Sequence, residues 1–308
     1  MTDAPFPLQS LLPIFAYFTA GLFLRRRGLA TAEHADFVFR LVFLLTLPAM
    51  VFRSVSTAEL GAETALLPVS GFLVNLVGAA TAALVGKWRG YPAHDIGAMV
   101  ISAGIINMGF TFPFIAATLG DTALANAFLF DVGNAMFVAF CVYPLAEYFG
   151  HHSTGFSFAS MKRVLLSPMF ISVVAALLVN LLDIRVGQTI DAVLAPLGAA
   201  TIPLMLIGVG MSFSGLDEKL PPALFAIGIR IVGGALVGLC AVWVFDFRGL
   251  TAVVVITSAA APVGASAAAI ASVSGLNRSV AINAVSLSAL IGLFTTSALL
   301  YLTSSIFG

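Results

Sequence analysis

"NMGFTFPF", residues 107–114, lies inside a long apolar run. Ile101 to Ile106 precede it and Phe114 to Leu119 follow, and both flanks read as helix buried in lipid. A second stretch, "SAAAPVGAS" at 258–266, has the same ingredients. Pro113 and Pro262 lack an N–H and disturb the turn before them. Gly109 and Gly264 accept backbone angles that other residues resist. A break in hydrocarbon exposes N–H and C=O groups, which is tolerated only where protein or a wet cavity meets them. Two matched breaks point to a substrate site between unwound helices. The freed helix N-termini offer N–H donors and a positive dipole end to an anion. Asn107, Thr111 and Ser266 add side-chain hydrogen bonds there. The competing reading is that membrane prolines merely kink helices. A matched pair with polar neighbours favours the site.

Composition supports the membrane setting. The chain has 308 residues, 60% hydrophobic and 9% charged, whereas an ordinary soluble domain is about 25% charged. Fourteen basic residues balance fourteen acidic ones, and no basic stripe offers itself to nucleic acid. The start, "MTDAPFPLQS", has no basic n-region, so a cleaved signal peptide is not expected. Cys141 and Cys240 sit in apolar runs without metal-ligand spacing. The four histidines fall in polar connectors, so an intramembrane histidine metal site is not expected. The lipid bilayer is the expected surrounding.

Ten spans are expected, near 8–24, 35–54, 64–86, 95–118, 122–148, 164–182, 188–213, 221–245, 250–273 and 279–305. The connectors joining odd to even spans carry Arg25, Arg26, Arg27, Lys87, Arg89, Lys162, Arg163, Lys219 and Arg278. The opposite side has Arg53, Arg185 and Arg248. Nine against three places the first set in the cytoplasm and both termini outside. The connector 151–163 divides the chain into 1–150 and 164–308, five spans each. An odd number of spans forces the second half in upside down, so repeats would be inverted. Pro13 and Pro48 are 35 apart, as are Pro168 and Pro203, and "TLPAM" (46–50) resembles "TIPLM" (201–205).

Two charges fall deep in spans. Asp131 lies about ten residues into span 5 and Arg230 about ten into span 8, each roughly 15 Å from an end. Each costs on the order of 3 kcal/mol there. Three readings compete. The two pair structurally. Alternatively Asp131 carries a coupling proton, with burial and Arg230 setting its proton affinity. Or Arg230 binds a substrate carboxylate and leaves Asp131 to a proton or cation. Asn134, three residues after Asp131, shares its helical face. Asn134, Asn75, Asn107 and, more weakly, Asn283 and Ser286 are candidates for a cation site or for helix-packing amides.

"LPAMVF" (47–52), "NMGFTFPF" (107–114), "APLGAATIPLMLIGVGMSF" (195–213) and "AAAPVGASAAAIA" (259–271) together resemble the auxin efflux carrier family, in order along nearly the whole chain. The family pattern often reads Asn-x-Gly-Phe-x-Gly-x-Pro. Here Asn107 stands one residue closer to Pro113 and the second glycine is absent. The resemblance implies an all-α membrane protein of ten helices, two inverted five-helix repeats, with broken helices 4 and 9 crossing at the substrate site. It implies a scaffold from helices 1, 2, 6 and 7, a transport domain from 3–5 and 8–10, and a homodimer through the scaffold. The fold resembles that of sodium/proton antiporters and bile-acid carriers. Bacterial members include carriers suggested for malonate and related organic acids, which implies an inner-membrane location.

The combined expectation is a secondary active transporter of a small mono- or dicarboxylate such as malonate or malate, and not an enzyme. Substrate binding falls to Asn107, Gly109, Thr111, Pro113, Pro262, Gly264, Ser266 and Arg230. Ion coupling falls to Asp131, Asn134, Asn75 and Asn283. No cofactor is expected. No GxxxxGK[ST] phosphate loop is present, so an ion gradient is the expected energy source; Asp131 makes the proton the expected coupling ion, with sodium as the alternative. A channel or uniporter is the rival class. An intramembrane enzyme lacks a Ser/His or His/Glu constellation, and a receptor lacks an output domain.

Overall fold

The computed structural model describes residues 8–150, 162, 165–212 and 220–307. The expected connector 151–163 therefore lies almost wholly outside the described residues. In chain order the helices are α1 (Leu12–Arg26), α2 (Ala32–Leu41), α3 (Leu47–Ser56), α4 (Leu67–Trp88), α5 (Ala93–Gly104), α6 (Met108–Phe137) and α7 (Tyr143–Phe149). They continue as α8 (Pro168–Leu181), α9 (Gln188–Ala199), α10 (Thr201–Ser212), α11 (Leu220–Gly228), α12 (Gly234–Val244), α13 (Gly249–Ala259), α14 (Ser266–Val273) and α15 (Arg278–Phe307). Among the described residues no strand forms, and one isolated antiparallel bridge joins Ile106 to Val263. The protein is all-helical. Among the described residues six helical runs are long and apolar enough to cross a membrane, with mean hydropathy from 1.6 to 2.1.

Local chemistry explains where the helices bend. Three π-helical turns, Val42–Thr46, Val138–Val142 and Ile229–Gly233, connect neighbouring α-helices. The first two run straight into Pro48 and Pro144. Each proline lacks the N–H that would have bonded four residues back, and the widened turn absorbs that loss. The third ends at the Gly233–Gly234 pair, another weak point in a helix. The run Met108–Phe149 is divided at Gly120, whose φ of 79° and ψ of −169° are open only to glycine. That break falls where the sequence predicts the boundary between the fourth and fifth spans.

The chain forms two compact units. Unit 1 comprises residues 8–61, Phe112–Phe128 and 165–212. Here α1 lies against α10 with backbone in near contact. A Cβ added at Gly21 would strike the Ile207 carbonyl, and one at Gly210 would strike that of Phe18. Small residues permit such approach, which membrane helices use in place of a hydrophobic driving force. Against α3 lie α8 and α9. Asn180 of α8 reaches across with Nδ2 to the carbonyls of Val55, Ser56 and Ala58, at 3.1, 3.1 and 2.8 Å. These belong to the C-terminal end of α3, whose last carbonyls have no partner within the helix.

Asn180→Ala removes that donor while the carbonyls remain half-buried. The expected result is a lower thermal unfolding midpoint in detergent, from a loss of about 1 kcal/mol. Hydrogen exchange rises at residues 55–58. An unchanged midpoint together with unchanged exchange contradicts this role.

Unit 2 comprises Ala62–Thr111, 129–150 and 220–307. At its centre are α5 and α13, both short and apolar. Asp95 to Gly104 of α5 and Thr251 to Ala259 of α13 are buried without interruption. A helix apolar on every side belongs inside a bundle. Around α5 pack α4, α7, α11 and α15, and around α13 pack α12 and α15. Both central helices stop short, and their ends build the site.

Candidate functional site

The chain leaves helical geometry after Gly104 and after Ala259, and it resumes at Met108 and at Ser266. The two interruptions lie side by side and pair as a minimal antiparallel ladder. The Asn107 N–H donates to Pro262 O at 2.9 Å, and the Gly264 N–H donates to Ile105 O at 2.8 Å. Backbone groups orphaned in one break are thus met by those of the other, as a buried break requires. Gly264 is needed for this approach, because a Cβ there would press on Ile105. The sequence places two breaks in corresponding spans. It does not say that they bond to each other.

Side chains close the remaining valences. Asn134 of α6 spans Ile106: its Oδ1 accepts from the Ile106 N–H at 3.2 Å, and its Nδ2 donates to Ile106 O at 3.4 Å. Opposite, the Ser288 hydroxyl of α15 accepts from the Val263 N–H at 3.0 Å. Each partner of the bridge therefore has its N–H held by a polar side chain from the long helix that follows. Sequence reading missed Ser288, which is one hydroxyl among many in "AVSLSALIG" and carries no distinguishing pattern.

Arg230, fully buried in the π-turn between α11 and α12, serves both helix ends. One terminal nitrogen donates to Ala103 O at 2.7 Å and to Asn75 Oδ1 at 3.1 Å, and the other donates to Ala259 O. Ala103 and Ala259 lie at the C-terminal ends of α5 and α13. A helix C-terminus carries roughly half a negative charge, so one guanidinium offsets two such ends. Asp131 and Arg230 do not pair directly. Asn134 donates to Asp131 Oδ1 at 2.7 Å, and Asn75 donates to Asn134 Oδ1 at 2.9 Å. Two amides thus stand between carboxylate and guanidinium. This corrects the reading of the two charges as an ion pair.

The helix N-termini at the crossing are differently exposed. Asn107 caps α6, its Oδ1 accepting from the Phe110 N–H at 3.1 Å, and Asn107 and Gly109 are half-buried. The Thr111 hydroxyl turns back to Asn107 O at 3.4 Å and is buried. Ala265 and Ser266, which open α14, are exposed, and no side chain caps that helix. Pro262 and Gly264 are buried in the second break. Pro113 lies inside α6, so it is not the break expected of it. The interruption falls upstream at 105–107, where Asn107 ends it by capping. Asn283 and Ser286 are buried within α15.

A cavity of about 910 Å3 belongs to unit 1. It is lined by α3, α9 and the loop before α9, with Arg53 joined to Asp191 at 2.7 Å, and none of the expected site residues lines it. Among the described residues no cluster of His, Cys, Asp and Glu is suited to a metal ion.

An all-helical membrane protein with two interrupted helices joined at their breaks is built like a transporter. Residues 6–300 match the family described as membrane transport protein, and the chain belongs to that family, the auxin efflux carrier family. It is 25% identical over 268 residues to an uncharacterized transporter of Methanothermobacter thermautotrophicus, covering 85% of this chain and 87% of that one. A second uncharacterized transporter, from Methanocaldococcus jannaschii, is 24% identical over 219 residues, 68% of this chain and 69% of the relative. The family is one of transporters rather than enzymes.

Proposed function

We propose that the protein is a proton-coupled secondary carrier of a small organic anion, a mono- or dicarboxylate such as malonate or malate. One observation carries this reading. Arg230 offsets the negative ends of α5 and α13, whereas the positive ends of α6 and α14 open at the same crossing on half-buried or exposed residues. An anion is the ligand that completes such a site. Asn107, Gly109 and Ser266 would hold it. Asp131, nearly buried at one end of the polar chain, would carry the coupling proton.

The same reading assigns ten membrane-crossing segments as two inverted five-helix repeats. The paired breaks, each held by a polar group from the following long helix, support that assignment. Most of unit 1 would be the scaffold and unit 2 the moving domain, with dimerisation through the scaffold. Alternating access would carry the crossing from one side of a bacterial inner membrane to the other.

The test is uptake of radiolabelled malonate, malate and a monocarboxylate into proteoliposomes under separate pH and sodium gradients. Saturable uptake driven by the pH gradient is expected, and Asp131→Asn should reduce it at least about tenfold while leaving the fold intact. Uptake driven by sodium alone moves the coupling ion. Uptake indifferent to both gradients and to Asp131→Asn indicates a uniporter.

A further inference from the structure

We propose that Asn134 is the positioning residue through which the protonation of Asp131 sets the hold on the crossing at Ile106. The inference rests on the carrier reading for its purpose and on geometry for its content.

The chain from Arg230 to Asp131 has one polarity. Arg230 has donors only, so Asn75 must turn its carbonyl oxygen to it. That leaves the Asn75 amino group facing Asn134 Oδ1. Asn134 then presents its own amino group to the Asp131 carboxylate, which when ionised only accepts. Every amide proton thus points away from the arginine and toward the aspartate. The two charged ends enforce one orientation of both amides without touching each other.

Asn134 is saturated in that orientation. Its oxygen takes the N–H groups of Asn75 and Ile106, and its amino group gives to Asp131 and to Ile106 O. Ile106 is therefore gripped at both its N–H and its C=O. Turned over, the same amide would set NH2 against the Ile106 N–H and oxygen against the Ile106 carbonyl, and both bonds would be lost. Asn75, fixed by Arg230, opposes that turn from one side, and the carboxylate opposes it from the other and is the end that can take a proton. A protonated Asp131 offers a donor of its own and gives up the charge assistance of the 2.7 Å bond. Asn134 is then held only by Asn75 and by Ile106 itself, and the side-chain support of Ile106, between the two ladder bonds, weakens.

The other ionisable side chains on the neighbouring elements are few. On α4 the ionisable side chain is Lys87, in the last turn, and on α5 they are His94 and Asp95, in the first turn. On the α11–α12 segment they are Arg230, already in the chain, and Cys240, exposed on α12. On α7 they are Tyr143, Glu147 and Tyr148, beyond the π-turn that ends α6.

The proposal is tested by hydrogen–deuterium exchange of the full chain in detergent from about pH 5 to about pH 8, corrected for the intrinsic pH dependence of exchange. In the parent protein, exchange at 105–107 and 263–264 should rise about tenfold as Asp131 takes its proton. Asp131→Asn should abolish the step. Asn134→Ala should abolish it too, with exchange fast at every pH. Asn134→Ser, too short to span Asp131 and Ile106, serves if the alanine variant fails to fold. A step in the Asn134 variants equal to that of the parent overturns the proposal, as does a parent without a step. Malonate uptake by the same preparations separates the two readings. If uptake is pH-driven but the step ignores Asn134, this inference falls and the carrier stands. If the step needs Asn134 in a protein that moves no carboxylate, the carrier falls and this inference stands.

Discussion

Arg230→Met is expected to be the most damaging single polar substitution in the chain. It should lower the thermal unfolding midpoint sharply and abolish carboxylate uptake. Methionine fills much of the space but donates nothing. Three acceptors then lose a donor: Ala103 O, Ala259 O and Asn75 Oδ1. Each buried acceptor left unmet costs roughly 1–3 kcal/mol in soluble proteins, and membrane helices average about 0.6 kcal/mol per hydrogen bond. Even the lower figure gives about 2 kcal/mol for the three, before the helix ends are counted. The C-termini of α5 and α13 would also face each other without a cation between them, which repels. Arg230→Lys separates charge from geometry. Lysine keeps the cation, but its compact ammonium cannot fork to two carbonyls and an amide at once. It should recover part of the midpoint and little of the transport. Thermal unfolding in detergent and uptake in proteoliposomes read both. A methionine variant with parental stability and parental uptake removes Arg230 from the site.

Much of this arrangement is legible in the sequence, and the part that is not has a physical reason. Helix ends fall near the expected span ends, because 60% hydrophobic composition punctuated by charged connectors leaves little freedom, although six runs among the described residues are long and apolar enough to cross a membrane and two expected spans are interrupted. The breaks are legible as paired proline–glycine signals, although the first lies at 105–107 rather than at Pro113. A proline marks a lost donor, but where the helix yields depends on the cap, and Asn107 supplies one upstream. Asp131 and Arg230 stand out by cost alone. Their connection does not, because Asn75 and Asn134 are 59 residues apart and the 155 residues from Asn75 to Arg230 leave no local pattern. The partners of Arg230 at the helix ends are invisible for another reason: they are backbone carbonyls, which every residue has.

The second large effect should come from a substitution that touches no polar side chain. Gly133 of α6 lies against α4 so closely that a Cβ there would strike the Pro68 carbonyl and crowd Phe72 N. Across the same contact, a Cβ at Gly71 would meet the Phe130 carbonyl. Backbone faces backbone, and neither side has a flexible end to move aside. Gly133→Ala must therefore push α4 and α6 apart, and overpacking of this kind costs about 1–3 kcal/mol. The separation acts where it matters most for function, because Asn75 on α4 and Asn134 on α6 bond across that seam at 2.9 Å. A shift of a few tenths of an ångström lengthens the bond and loosens the grip on Ile106. Uptake should accordingly fall further than stability alone dictates. Gly133→Leu should leave no folded protein. Gly228→Ala is the control, since it is the same change at the last residue of helix α11, where no atom beyond the helix's own adjacent backbone lies within 4 Å of the new methyl. That variant should match the parent in unfolding midpoint or exceed it slightly, because alanine favours helix over glycine by about 1 kcal/mol. Equal behaviour of the two alanine variants means that the α4–α6 seam yields freely. The chain of amides from Arg230 to Asp131 would then not depend on a fixed distance between these helices.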